Sequence, residues 1–125
     1  MNDTNTPSVP FFIIKRTLSQ NFKHIGAKLR HRDIAAIVLG WHEHNSLCYP
    51  SNKYLSESTG IHVRTITDVI SDLNKNGLID ITYSTESIRY LSPLQPLKNM
   101  NSHLIKDEKL KNSFKSKRQK NVDNI

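Results

Sequence analysis

Polar side chains in the middle of the chain recur at the spacing of one helix face, and their types suit the recognition of base edges. Arg64 has a planar guanidinium whose paired donors match the O6 and N7 acceptors of guanine. Thr67 and Ser71 carry hydroxyls that donate or accept hydrogen bonds. His62 and Asp68 fall on the same face, and a carboxylate can accept from the amino group of cytosine. This pattern predicts a helix that reads DNA with its outer face.

Two other interpretations of this face stay open. A polar helix face is often only solvated. Arg64 and Asp68 are also four residues apart, which is the spacing of an ion pair on a helix surface. Arg64 could therefore be paired with Asp68 rather than with a base.

Four more residues have types that suit the nucleic-acid backbone or a groove. We expect Ser51, Lys53 and Thr65 to contact phosphates, together with the backbone N–H groups at the start of the helix that follows Ser51. Arg89 is the only basic residue of a predicted two-stranded ribbon. We expect it to enter a minor groove, although plain solvent exposure fits its position equally well.

The densest group of metal-ligating types is His42-Glu43-His44, followed by Cys48. The two histidines are two residues apart and point to nearly opposite sides of a helix, whereas a zinc site on one helix prefers a spacing of four. We therefore expect no metal site, and Cys48 is interpreted as a packing residue. The sequence has no Gly-rich phosphate loop, nucleophile elbow or paired carboxylate motif, so we expect neither an enzyme nor a cofactor.

Three predicted helices position the polar side chains. They span residues 32–44, 52–58 and 63–76. Ser51 can cap the second helix, and Gly60 can end it. The first and third helices have apolar residues at helical spacing, which are Ile34, Ile37, Val38 and Trp41 in one and Ile66, Val69, Ile70 and Leu73 in the other.

The period then changes from helix to strand. Ile79, Ile81 and Tyr83 alternate with polar residues, and the alternation returns after a turn, which predicts a two-stranded ribbon. Pro93 and Pro96 are expected to end the regular structure. Before the first helix, residues 11–18 are predicted to form a strand or an extended arm, and residues 19–29 a short helix.

Short motifs recur in this region in a fixed order. They are Pro50-Ser51, Leu55-Ser56, Gly60, Thr65-Ile66, and Leu73 followed by Asn76-Gly77-Leu78-Ile79. With these motifs, residues 33–91 resemble the winged-helix domains of plasmid and phage replication proteins and of small bacterial regulators. The resemblance implies a winged helix-turn-helix fold, mainly α with a small β-ribbon (α+β), that binds double-stranded DNA. The order of the predicted elements is itself that of a winged helix-turn-helix.

Two positions depart from the pattern of this family. His62 stands where a Ser or Thr usually caps the third helix, and Asp68 stands where Arg or Gln is frequent. These departures affect which bases are read more than they affect the fold.

Charge supports a polyanionic partner. The 125 residues include 18 Lys and Arg against 11 Asp and Glu, which gives a net charge of +7. The basic residues concentrate in the flanks, residues 11–32 and 106–120, whereas residues 33–105 carry more acids than bases. One cysteine, the lack of a long apolar run and the polar start of the chain suggest a cytoplasmic protein without a membrane partner.

The sequence therefore predicts three regions and a leading function. Residues 1–10 are expected to be a disordered leader, residues 11–97 the winged helix-turn-helix domain, and residues 98–125 a basic tail that is disordered or forms a helix on dimerisation. The leading function is a small transcriptional regulator of a plasmid or phage that binds double-stranded DNA, with a homodimer open and no small-molecule ligand evident. The alternatives are a replication-initiation protein that binds origin repeats and a winged-helix module that binds another protein.

Overall fold

The computed structural model describes residues 13–44 and 48–116, which form five α-helices, one 3-10 helix and a two-stranded sheet. In chain order the elements are α1 (Arg16–Ile25), α2 (Leu29–Glu43), α3 (Asn52–Thr59), α4 (Val63–Lys75), β1 (Ile79–Tyr83), β2 (Arg89–Pro93), α5 (Gln95–Ser102) and the 3-10 helix (Glu108–Leu110). The succession α2, α3, α4 and the ribbon is a winged helix-turn-helix, so the predicted α+β fold class is confirmed.

The turn between α3 and α4 is closed by hydrogen bonds from two small polar side chains. Gly60 ends α3 with a φ of 81°, a left-handed conformation that glycine adopts without steric cost. The Ser56 hydroxyl donates to the Ile61 carbonyl, and Thr59 Oγ1 accepts from the Ile61 N–H at 3.1 Å. These bonds fix the point at which α4 begins, and hence the direction in which its outer face points.

The hydrophobic core is built where α2, α3 and α4 meet. Leu55 of α3 and Ile66, Val69 and Leu73 of α4 are fully buried. The stripe of α2 is buried as well, including Ile34 and its neighbours. The predicted core faces of the first and third helices are therefore confirmed.

A buried polar pair joins the start of α2 to the end of α4. His31 Nε2 donates to Asp72 Oδ2 at 3.0 Å, and both side chains are buried. His31 Nδ1 accepts from the Lys28 N–H at 3.3 Å, and the ring packs edge-on against Phe114 with centroids 4.6 Å apart. Burial lowers the pKa of His31, and the neighbouring Asp72 only partly opposes that effect. The neutral ring is thus the form that suits this site.

The N-terminal region differs from the sequence prediction. Residues 16–18 are helical rather than extended, because α1 begins at Arg16 and runs to Ile25. Leu18, Phe22 and Ile25 recur at helical spacing and are all buried, so burial of this face outweighs the strand preference of the preceding apolar run. The predicted leader, residues 1–10, lies outside the described residues.

The ribbon is an antiparallel pair in which Ile81 faces Leu91 and Tyr83 faces Arg89. Cys48 extends it, because the Leu91 N–H donates to the Cys48 carbonyl at 2.8 Å. This contact fixes the ribbon beside the chain that enters α3.

The two prolines do not end the regular structure as predicted. Pro93 pairs with Ile79 at the end of β2. Pro96 lies in the first turn of α5, where a backbone N–H has no helical partner to lose. The helix continues because Leu97 and Met100 bury their side chains in the core.

After α5, residues 103–116 return across α1. Asn21 anchors this segment, since its side-chain amide donates to the carbonyls of Met100 and His103 at 2.7 and 2.9 Å and accepts from the Ile105 N–H at 2.8 Å. Phe114 is buried near the end of the segment. The expected domain boundary at residue 97 thus falls inside α5, and residues 98–116 of the expected tail pack on the domain, while residues 117–125 lie outside the described residues.

Candidate nucleic-acid interface

The helix α4 and its cap residue present the predicted polar face to solvent. His62, Arg64, Thr67 and Asp68 are exposed, and Ser71 is half-buried. The opposite face of the helix is buried in the core, so these side chains project from a helix whose position is fixed by packing. The structure therefore brings together all the α4 residues that the sequence predicts to face DNA.

His62 replaces the usual Ser or Thr as the cap of α4. Its Nδ1 accepts from the Arg64 N–H at 3.1 Å, which satisfies one of the free donors of the first turn. Because a backbone N–H can only donate, Nδ1 is the acceptor, and a neutral ring carries its proton on Nε2. His62 is exposed, so this N–H is available to an acceptor on a ligand.

The start of α3 lies close to the same surface. Ser51 Oγ accepts from the Tyr54 N–H at 3.1 Å, which confirms the predicted cap. Ser51 and Lys53 are exposed, whereas Thr65 at the start of α4 is half-buried. These positions are compatible with the predicted phosphate contacts, which stay predictions.

Arg89 has a partner that the sequence did not indicate. Its guanidinium donates to Asn52 Oδ1 at 2.7 Å and to the Pro50 carbonyl at 2.9 Å. The side chain is half-buried, and burial lowers its pKa, opposed by the nearby Tyr83. Arg89 therefore holds β2 against the start of α3, and its predicted entry into a minor groove stays a prediction.

Asn52 links this contact to α4. Its side-chain amide Nδ2 donates to Thr67 Oγ1 at 3.2 Å. Sequence reasoning missed Asn52 because a single polar residue in the first turn of a helix looks like ordinary solvated surface. The only available signal was its place directly after the Pro50-Ser51 motif.

The far end of α4 receives the C-terminal segment. Asn76 accepts from the Lys115 N–H at 3.2 Å and donates to the Lys115 carbonyl at 2.9 Å. Lys115 thus lies beside the end of α4. Asn76 is part of the family motif, but its pairing with residue 115 could not be inferred from spacing.

The histidines near residue 43 form no metal centre with the residues that the structure describes. Within residues 13–44 and 48–116, no group of three or more His, Cys, Asp or Glu side chains is placed to hold a metal ion. Cys48 is buried, and burial raises the pKa of its thiol to about 12, so it is a neutral packing residue. Over the same ranges, no helix is long and apolar enough to cross a membrane.

Comparison with known proteins agrees with the architecture. Residues 36–79 match the family described as a helix-turn-helix domain, a range that runs from α2 through α3 and α4 to the first residue of β1. No curated protein is significantly similar to the chain. The chain thus contains a helix-turn-helix domain followed by a two-stranded wing, and such a domain indicates DNA binding.

Proposed function

We propose that this protein binds double-stranded DNA sequence-specifically and acts as a small transcriptional regulator of a plasmid or phage, in the cytoplasm. One observation carries the proposal: α4 has a fully buried stripe on one side and exposed hydrogen-bonding side chains on the other, at its N-terminal half. That is the part of a recognition helix that meets base edges in the major groove. We propose a binding protein rather than an enzyme.

Each part of the site has a role in the proposed complex. Arg64 reaches guanine O6 and N7, because it is exposed and lies in the first turn of α4. Ser51 and Lys53 at the start of α3 contact phosphates and fix the register of the protein on the duplex. The ribbon lies along the duplex beside α3, because Arg89 holds the ribbon at the start of α3.

The charge distribution supports a strong contribution from phosphate contacts. The net charge is +7, and basic residues follow the point where the C-terminal segment joins the end of α4. Binding should therefore release counterions, and the affinity should fall steeply as salt rises.

Selection of bound duplexes from a random pool tests the proposal. We expect a short consensus sequence to be enriched. Copies of that sequence beside promoters would support a role in transcriptional regulation. Repeated copies at a replication origin would instead indicate replication initiation. Absence of binding to any duplex, with the fold retained, would refute the proposal and favour a protein-interaction module.

A further inference from the structure

Three side chains form a hydrogen-bonded chain from the ribbon to α4. Arg89 Nη1 donates to Asn52 Oδ1 at 2.7 Å, and Asn52 Nδ2 donates to Thr67 Oγ1 at 3.2 Å. Thr67 is exposed on the outer face of α4, one turn after Arg64. The residue at the end of this chain therefore lies among those proposed to meet the bases.

The direction of these hydrogen bonds follows from the chemistry of the groups. A guanidinium has only donors, so the Asn52 oxygen must face Arg89 and its NH₂ must face Thr67. An amide NH₂ also only donates, so the oxygen of Thr67 is the acceptor. The hydroxyl proton of Thr67 then remains for another acceptor, and the described residues provide no second hydrogen bond for it.

We propose that Thr67 is a specificity-determining residue that donates its hydroxyl proton to an acceptor on a base edge, and that Asn52 and Arg89 are the positioning residues that set this polarity. The inference rests on the proposed function. In the major groove the acceptors are N7 of a purine, O6 of guanine and O4 of thymine, whereas cytosine presents the N4 amino donor. Thr67 should therefore favour guanine over cytosine at the base it contacts.

Two substitutions separate this role from a merely structural one. Thr67→Val keeps the shape and removes the hydroxyl. Asn52→Asp keeps the shape and reverses the chain, because a carboxylate accepts both from Arg89 and from the Thr67 hydroxyl, which leaves Thr67 only an acceptor for DNA. Ser58→Asp is the matched control, since it adds the same charge to an exposed position of α3 outside the chain.

The test compares base preferences of the full-length variants, each selected from a random duplex pool and then measured by competition. The wild type should prefer guanine to cytosine at one position by roughly 2- to 10-fold, the effect of a single hydrogen bond. Thr67→Val should lose that preference at that position alone. Asn52→Asp should shift it towards cytosine, and Ser58→Asp should keep the wild-type preference while it weakens binding to all duplexes.

Other results would overturn the inference. Unchanged preferences in Thr67→Val, or a guanine preference retained by Asn52→Asp, would show that the Thr67 proton does not read a base. If Asn52→Asp fails to fold, Thr67→Ser decides the matter, because it keeps the hydroxyl and must keep the preference that Thr67→Val loses. Failure of the wild type to bind any duplex would refute the proposed function itself, which is a separate result.

Discussion

Leu73→Ala should destabilise the domain more than any exposed substitution in α4. Leu73 has no exposed surface and belongs to the buried side of α4, and its carbonyl accepts from the Leu78 N–H at 3.0 Å. That bond closes the end of α4 and holds the backbone in place, so the cavity left by the missing side chain has little room to collapse. We therefore expect a cost in the upper part of the range for buried leucines, about 3–5 kcal/mol.

Urea denaturation followed by circular dichroism measures this cost. Such a loss is a large fraction of the stability of a small domain and corresponds to a fall in Tm of roughly 10–20 °C. Leu104→Ala is the control, because Leu104 is 48% exposed and should change the free energy of unfolding by less than about 0.5 kcal/mol. Equal effects of the two substitutions would refute the packing of α4 described above.

Three further outcomes follow from the interface and the core. Arg64→Ala should reduce the preference for one base by about 1–3 kcal/mol without lowering Tm, and competition between specific and random duplexes measures this. An equal loss of affinity for all duplexes would show a phosphate contact instead. Truncation after Ser116 should keep the base preference but make the plot of log affinity against log salt less steep, by up to about 3 in slope, because residues 117–125 hold three basic side chains. An unchanged slope would show that these side chains do not contact phosphates. Because burial lowers the pKa of His31, this side chain binds a proton at a higher pH in the unfolded chain than in the folded protein. The free energy of unfolding should therefore fall as the pH drops below 6.5, by up to about 1.4 kcal/mol per pH unit. In urea denaturation His31→Gln should reduce this slope and Arg64→Ala should keep it, whereas equal slopes in wild type and His31→Gln would contradict the account.

The helix-turn-helix could be predicted because its signals are local. The stripe that ends at Leu73 has a helical period, and Gly60 and Gly77 mark the ends of α3 and α4. The ribbon follows from alternation with a period of two. Each of these signals depends on residues close together in the chain, so no tertiary information is needed to read them.

The flanking elements could not be predicted in the same way. Residues 11–18 include several apolar and β-branched types that favour a strand, but the partner surface of α1 is provided by α5, which is distant in sequence. A proline such as Pro96 is compatible both with the end of regular structure and with the first turn of a helix. The burial of Leu97 favours the helix. Long-range contacts thus determine both ends of the domain.

The sequence predicts which α4 residues form the candidate interface but not how they are hydrogen-bonded. The outer face of α4 consists of the residues that are not part of its buried stripe, so it can be identified once that stripe is known. The use of Arg89 as a structural link, and of Asn52 as the bridge to Thr67, depends on the position of the ribbon beside α3. A histidine cap such as His62 is also outside the usual preference for small hydroxyl or amide side chains.

Backbone amide chemical shifts of the ¹⁵N-labelled protein, recorded while a selected duplex is added, test the central claim most directly. The account predicts that the largest changes fall at residues 51–53, 62–71 and 84–89. These are the start of α3, the cap and first nine residues of α4, and the turn that joins β1 to β2 with the first residue of β2. A random duplex at the same concentration should produce smaller changes at residues 62–71. Changes confined to α1 and α5, or equal changes with both duplexes, would contradict recognition through α4.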